Sequence, residues 1–255
     1  MTVAWSDQSA GRPDWRLIAE LIQRHSHKSP RVLDVGCYTG GLLKMLDENV
    51  KKAGVEPNRA AANQAALRAR AEVWHSLADV PAERQFDFII ATDVVEHVNS
   101  PGIFIKTLFA RLAPQGAVIV TTGNGDALLA RLFGANWWYC FYVEHISFIS
   151  PRWLKQFCGI TGANTSNISY FAYQQLSPLA RLGHFLQTLA YGVTGVAYLE
   201  AVRLAHRLTK RQWRVFPKGC GLTADHMLVM LTPPSALQQE GIAGKLQNTQ
   251  TDLTK

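Results

Sequence analysis

Cysteine is scarce in this 255-residue chain. The four present (Cys37, Cys140, Cys158, Cys220) are scattered, and no two form a C-x-x-C pair. That spacing excludes a thiolate metal cage and a disulfide framework, and leaves reduced packing residues. The opening MTVAWSDQSAGRPDW has neither the charged start nor the apolar run of a secretory signal, so a cytoplasmic location is expected. No internal repeat is present, and the G-x-G-x-x-G spacing of a dinucleotide-binding turn is missing. Acidic residues are outnumbered, 19 against 26 Lys and Arg, for a net charge of +7.

The excess of cations is local. Between Gln174 and Lys218 stand seven cations against the single acid Glu200, so this segment carries +6 of the +7. A pI near 9.4 points first to an acidic partner, either nucleic acid or an anionic membrane. The location of the charge restricts that reading to one region.

What is present is an alternation of strand and helix patterns. An amphipathic helix is predicted over PDWRLIAELIQRH, with Trp15, Ile18, Leu21 and Ile22 at helical spacing. RVLDV, KKAGVEP, AEVWH, FDFIIAT and AVIVTT read as strands, with helices from GGLLKMLDEN, NRAAANQAALRAR and SPGIFIKTLFARLAPQG between them. Alternation of this kind implies right-handed crossovers and a doubly wound, mostly parallel α/β sheet. Beyond Thr122 comes an aromatic-rich stretch, then the helix PRWLKQFCGITG, and two final strands in TSNISYFAY and DHMLVML. About fifty residues with a helical pattern separate those last strands, too long for a loop and therefore an insertion. The expected organisation is a flexible lead-in over 1–13, one domain over 14–234 with a helical insertion at about 175–222, and a disordered polar tail over 235–255.

Ligands of a doubly wound sheet sit outside the carboxyl ends of the strands, where strand order reverses. The turn DVGCYTGG lies at such an end, and Gly36 and Gly40 let backbone approach a ligand. An acid before the turn, Asp34, and a second ending the next strand, Glu56, fit a nucleoside better than a pyrophosphate. Glu56 would accept hydrogen bonds from a ribose diol, each worth about 1.5–3 kcal/mol when charge-assisted. Each acid also has a plainer role open to it: Asp34 as a turn cap, Glu56 as a cap for the helix after Pro57.

VLDVGCYTG, GVEP, FDFIIATDVVEHV and LAPQGAVIVTTGN, in this order and spacing, resemble the successive motifs of the class I S-adenosylmethionine-dependent methyltransferases. The likeness is to the branch holding ubiquinone-biosynthesis-type O-methyltransferases and enzymes of glycan gene clusters, and it extends over roughly residues 14–173 and 225–232. It implies a seven-stranded Rossmann-like sheet and S-adenosylmethionine as methyl donor. Asp34, Gly36 and Gly40 would shape the methionine side, Glu56 would bind the ribose, Ser76 and Leu77 would lie beside the adenine, and Ala91 and Thr92 would border the sulfonium. Tyr38 stands where the family often has glycine.

A hydroxyl acceptor needs a base within hydrogen-bond reach. His97 in DVVEHV and His145 in VEHIS are the candidates, with Glu96 and Glu144 placed to orient them, although a histidine at such a junction also serves simply by bonding a carbonyl. Trp137, Trp138 and Tyr139 would wall an acceptor pocket. No metal is expected. The fourth strand lacks the Asn/Asp-Pro-Pro-aromatic run of base N-methylating enzymes, and there is no Pro-Cys pair for pyrimidine carbon methylation. Both gaps argue against nucleic acid and for a small-molecule, sugar or lipid-linked hydroxyl. The competing readings are a non-catalytic membrane-associated scaffold or sensor that retains the fold, and an RNA methyltransferase gripping through its cations. Residues 180–214 are expected either to lie on an anionic membrane surface or to form a helical lid or dimer face.

Overall fold

The computed structural model describes residues 12–25, 29–173, 177–209 and 224–234. Helix α1 (Pro13–His25) buries Ile18, Leu21 and Ile22, the spacing that one helical face requires. β1 (Arg31–Val35) is buried at four consecutive positions, as a strand covered on both faces must be. There follow α2 (Gly41–Met45), β2 (Lys51–Val55), α3 (Arg59–Ala69), β3 (Glu72–Trp74), β4 (Phe86–Thr92), α4 (Pro101–Phe109) and β5 (Leu112–Gly123). The remainder is α5 (Leu128–Phe133), α6 (Pro151–Thr161), β6 (Asn164–Phe171), α7 (Pro178–Thr194), α8 (Val196–Thr209) and β7 (His226–Thr232).

The seven strands form one sheet in the order β3-β2-β1-β4-β5-β7-β6. β1 to β5 pair in parallel, and β7 runs antiparallel to both β5 and β6. This is the doubly wound, mostly parallel α/β sheet that the alternation predicted. Strand order reverses between β1 and β4, which opens a crevice at their carboxyl ends.

Two apolar layers sandwich the sheet. Leu33, Ile89, Val118 and Val120 meet Ile105 and Leu108 of α4 and Leu154 of α6 on one face. Val32, Phe88, Ile90 and Ile119 meet Ile18 and Ile22 of α1 and Leu42 and Leu43 of α2 on the other. A separate aromatic cluster of Leu129, Trp137, Trp138 and Tyr139 has Phe133 and Phe185 packed against it.

The helix expected to run through SPGIFIKTLFARLAPQG ends at Phe109, and Leu112–Gly123 is strand. Leu112 pairs with Phe86 before the register shifts, and Gln115 takes φ 66°. Pro114 and Gly116 thus sit in an irregular strand lead-in that a helix could not accommodate. The Arg111 guanidinium fixes the corner by donating to the carbonyls of Val80, Pro81 and Leu77.

The insertion before β7 contributes two helices that break at Gly195, whose φ of 55° ends α7. β6 ends at Phe171 directly opposite His226 at the start of β7, so the insertion leaves and returns at one point. His226 in turn pairs with Gly123 at the carboxyl end of β5, on the rim of the crevice. The lead-in through residue 11, the insertion from 210 to 223 with Cys220, and the tail from 235 lie outside the described residues.

Candidate functional site

The site begins in the turn between β1 and α2. The N–H groups of Gly36 and Cys37 both donate to the Val55 carbonyl, at 2.8 and 3.1 Å, which folds the turn over the tip of β2. Gly36 and Gly40 have φ of 78° and 75°. A Cβ on Gly36 would lie 2.8 Å from a Val94 methyl, and one on Gly40 would lie 2.8 Å from the Ala65 Cα. Both glycines are therefore required by conformation and by space. Tyr38 also adopts a left-handed φ, 45°, a conformation that favours glycine, and keeps its ring partly exposed.

Two acids stand at the tips of β1 and β2. Asp34 is 3% exposed, and burial first, then the charge of Glu56, raises its carboxyl to about 8. Glu56, also buried, accepts from the N–H of Tyr38 at 3.0 Å and of Asn58 at 2.8 Å. The capping of α3 falls to Asn58, whose side chain accepts from Ala61 N–H. Glu56 is thereby left facing the turn. Cys37 is buried, which raises its thiol and makes it a packing residue.

Ser76 and Leu77 follow β3 as expected, but the Ser76 hydroxyl donates to Asp79 within a capping box, and Leu77 packs against the larger core layer. Ala91 is fully buried and pairs with Val35 across the switch point. Beside it, the Thr92 hydroxyl is buried with no hydrogen-bond partner among the described residues.

At the exit of β4 the chain turns through Asp93, at φ 53°. Its carboxylate accepts from Arg12 at 2.8 Å and from the Tyr173 hydroxyl at 2.7 Å. Arg12 also donates to the fully buried Asp14 at 2.6 and 3.0 Å, and lies over the Trp15 and Tyr173 rings. This network ties the start of α1 to the β4 tip and to the chain beyond β6. Sequence reasoning missed it. Arg12 and Pro13, counted with the lead-in, belong to the fold, and nothing linear marks Arg12 as the partner of residues 81 and 161 positions away.

The histidines come together. His97 and His145 lie with ring centroids 5.0 Å apart. His97 Nδ1 bonds the Glu144 carbonyl at 3.0 Å, and His145 Nδ1 bonds the Tyr139 carbonyl at 2.9 Å. A carbonyl partner makes each Nδ1 the donating nitrogen, so any lone pair on either ring lies at Nε2. Burial lowers the His145 pKa, so it is neutral at pH 7. Glu144 orients His97 through its backbone and not through its carboxylate. Glu96 is fully buried and accepts from Thr122 and from the Tyr139 hydroxyl, whose oxygen accepts in turn from Gly123 N–H. Burial and the charge of Asp93 raise Glu96 to about 7. Ligand atoms of Glu96, His97 and His145 all lie within 4.8 Å of one another. One carboxylate and two imidazoles form a set that could hold a divalent cation, a grouping the sequence reading did not foresee.

Trp137, Trp138 and Tyr139 are buried, and Trp138 donates to Asp225 at 2.9 Å. They brace the rim behind the histidines. α7 covers this cluster, with Phe185 packed on it, the Tyr191 ring against Phe141, and Asn136 donating to the Gly192 carbonyl at 3.2 Å.

Residues 10–165 match the family model described as a methyltransferase domain. Over 103 residues the chain is 34% identical to the ubiquinone biosynthesis O-methyltransferase of Bradyrhizobium diazoefficiens, covering 37% of this chain and 40% of that protein. It is 29% identical over 193 residues to the enzyme of the same name from Nitrosococcus oceani, covering 68% of this chain and 81% of that one. The chain thus spans less than half of the first of these curated relatives and most of the second. A crystal structure of the N-methyltransferase NodS from Bradyrhizobium japonicum with S-adenosyl-L-homocysteine aligns over 88% of this chain and 89% of that one, with a TM-score of 0.52 at 12% identity, a likeness of fold. With more than half of its length matched by the family model and the seven-stranded sheet in place, the chain belongs to the class I S-adenosylmethionine-dependent methyltransferases.

Proposed function

We propose that this protein transfers a methyl group from S-adenosylmethionine to a hydroxyl of a small-molecule acceptor, a sugar, a phenol or a lipid-linked compound. The observation that carries the reading is Asp34, a buried carboxyl at the switch point with no hydrogen-bond donor among the described residues, next to Glu56. A buried acid without a donor is costly, and a cationic ligand group removes that cost. The amino group of a methionine moiety supplies that cation, and Glu56 keeps acceptor capacity for a ribose diol. Ser76 and Leu77 flank the adenine in this arrangement, with Ala91 and Thr92 beside the sulfonium. The plainer capping role of Ser76 makes its backbone neighbourhood, and not its hydroxyl, the adenine contact.

The donor, when bound, presents an electrophilic methyl on a sulfonium that leaves as a neutral thioether. The chain's own part is to align acceptor oxygen and methyl, to exclude water, and to take one proton. Alignment alone is worth about 7–11 kcal/mol. His145 is the better base: it is neutral, its Nε2 lone pair is free, and it stands against the buried aromatic wall. His97 beside it fits an orienting role or a share in a cation site. The relatives named as ubiquinone O-methyltransferases support a hydroxyl acceptor, and neither the scaffold nor the RNA reading gains support from them.

The test feeds cells methyl-labelled methionine and compares labelled metabolites and envelope glycans with and without the gene. A labelled compound that disappears with the gene, and whose label is an O-methyl group, is expected. Identical label profiles would remove the transferase reading, and a label on nitrogen or carbon would remove the hydroxyl.

A further inference from the structure

The α7 helix carries its apolar stripe on the outside. Leu179, Leu182, Leu186, Ala190 and Val193 recur at i, i+3, i+7, i+11 and i+14, which is one helical face. All five are exposed, with Leu179 at 81%, Leu182 at 50%, Leu186 at 56% and Val193 at 76%. The opposite side, with Thr188, Tyr191 and Gly192, is buried against the aromatic wall. Covering the acceptor region therefore uses the inner side only, and leaves the leucines unexplained.

α8 continues the pattern. Ala197, Ala201, Leu204 and Leu208 are exposed along one line, with Arg203 and Arg207 exposed beside it. Lys210, Arg211, Arg214 and Lys218 follow in the sequence. No helix among the described residues is long and apolar enough to cross a membrane. An outward leucine stripe bordered by arginines, on helices that cannot span, has the chemistry of an interfacial element: alkyl groups at the acyl boundary and guanidinium groups on phosphates.

We propose that the outer face of α7 and α8 docks on an anionic lipid bilayer, with the leucine stripe inserted and Arg203 and Arg207 at the headgroups. Charge decides between this occupant and a second copy of the chain. Within α7 and α8 stand Arg181, Arg203 and Arg207 against the single acid Glu200, which pairs with Arg203, so a two-fold contact through this face sets +2 against +2. A bilayer rich in phosphatidylglycerol supplies both the apolar depth and the negative charge. The inference is independent of methyl transfer, because vesicle binding requires no donor or acceptor.

Full-length protein is sedimented with vesicles of equal phosphatidylglycerol and phosphatidylcholine, and with phosphatidylcholine alone. Binding to the first and not the second is expected, with a roughly 5-fold loss for each of R203A and R207A at low salt. A Leu182→Asp/Leu186→Asp variant should lose binding about 100-fold or more, while its circular dichroism and its affinity for S-adenosylhomocysteine stay unchanged. Those two controls show that the fold and the donor site survive. Wild-type protein that ignores the anionic vesicles, or equal binding by the aspartate variant, overturns the proposal. So does a dimer in solution that the aspartate variant dissociates, with no vesicle binding by either protein, because that makes the face a self-association surface.

Discussion

The Tyr38 N–H donates to the Glu56 carboxylate at 3.0 Å. This bond couples the turn after β1 to the acid ending β2, so under the proposed ribose assignment the same side chain would set both turn geometry and donor affinity. Replacing Glu56 by alanine should weaken S-adenosylhomocysteine binding by about 1.5–3 kcal/mol, roughly 10- to 150-fold. Calorimetry measures this directly. Glu56→Gln should recover only part, because its amide cannot accept from Tyr38, Asn58 and a diol together. Equal affinities for wild type and Glu56→Ala would contradict the ribose assignment.

Asp34 makes stability depend on pH. Its ordinary value is 3.8 and its folded value is about 8, so the folded protein holds a proton that the unfolded chain has released. The contribution is whole below the unfolded value and is lost as pH rises through the folded one. Glu96, raised to about 7, acts in the same direction. The melting temperature of the ligand-free protein should therefore fall between pH 5 and 8, and Asp34→Asn should make that fall shallower. An ammonium ligand beside Asp34 favours its charged form, so binding at pH 7 should release a proton. Calorimetry in buffers of different ionisation enthalpy detects that release, and a value of zero would argue against the ammonium placement.

The Arg12 network predicts a stability effect from outside the strand-tip motifs. Arg12→Ala leaves Asp14, which is fully buried, without its guanidinium. Removing one partner of a buried pair costs about 3–5 kcal/mol, reduced here because the Arg12 side chain is 23% exposed. A loss near the lower figure is expected in urea unfolding. Arg12→Lys should restore little, since one ammonium cannot serve Asp14 and Asp93 in the bidentate manner of the fork. A change under about 0.5 kcal/mol, the range of ordinary surface substitutions, would show the network to be dispensable.

His145→Ala should lower turnover of the labelled acceptor by about 10²–10⁴, the usual share of a general base. Affinity for S-adenosylhomocysteine should stay within about 2-fold, because the ring is not placed against the donor acids. His97→Ala should do less. If the two substitutions prove equally damaging and added divalent cation rescues neither loss nor wild-type activity after chelation, the base assignment to His145 alone fails.

The sheet was legible because burial on both faces forces continuous apolar runs such as VLDV and FIIA, and because glycines and prolines punctuate them. The acids and glycines of the crevice were legible for the same local reason: each lies within a few residues of a strand tip. What escaped is what depends on distance. Arg12, Asp93 and Tyr173 come from three distant stretches of the chain, and β6, antiparallel to β7 and so aligned with β4 and β5, brings Tyr173 to the rim where β4 ends. The pairing of His97 with His145 was similarly hidden, although each had been singled out alone. Pro114 and Gly116 looked like a helix stop, and only the partner strand shows that Leu112 has already begun the ladder.

Phe171 and His226 face each other across a ladder rung, so everything between them is a detour that begins and ends at one doorway. Lengthening such a detour twofold costs about 0.6 kcal/mol in closure entropy, and its anchors stay fixed. The rim thus acts as a socket: a different pair of helices could be plugged in there, giving the same catalytic scaffold a new address or a new clientele while the donor crevice went on unaltered.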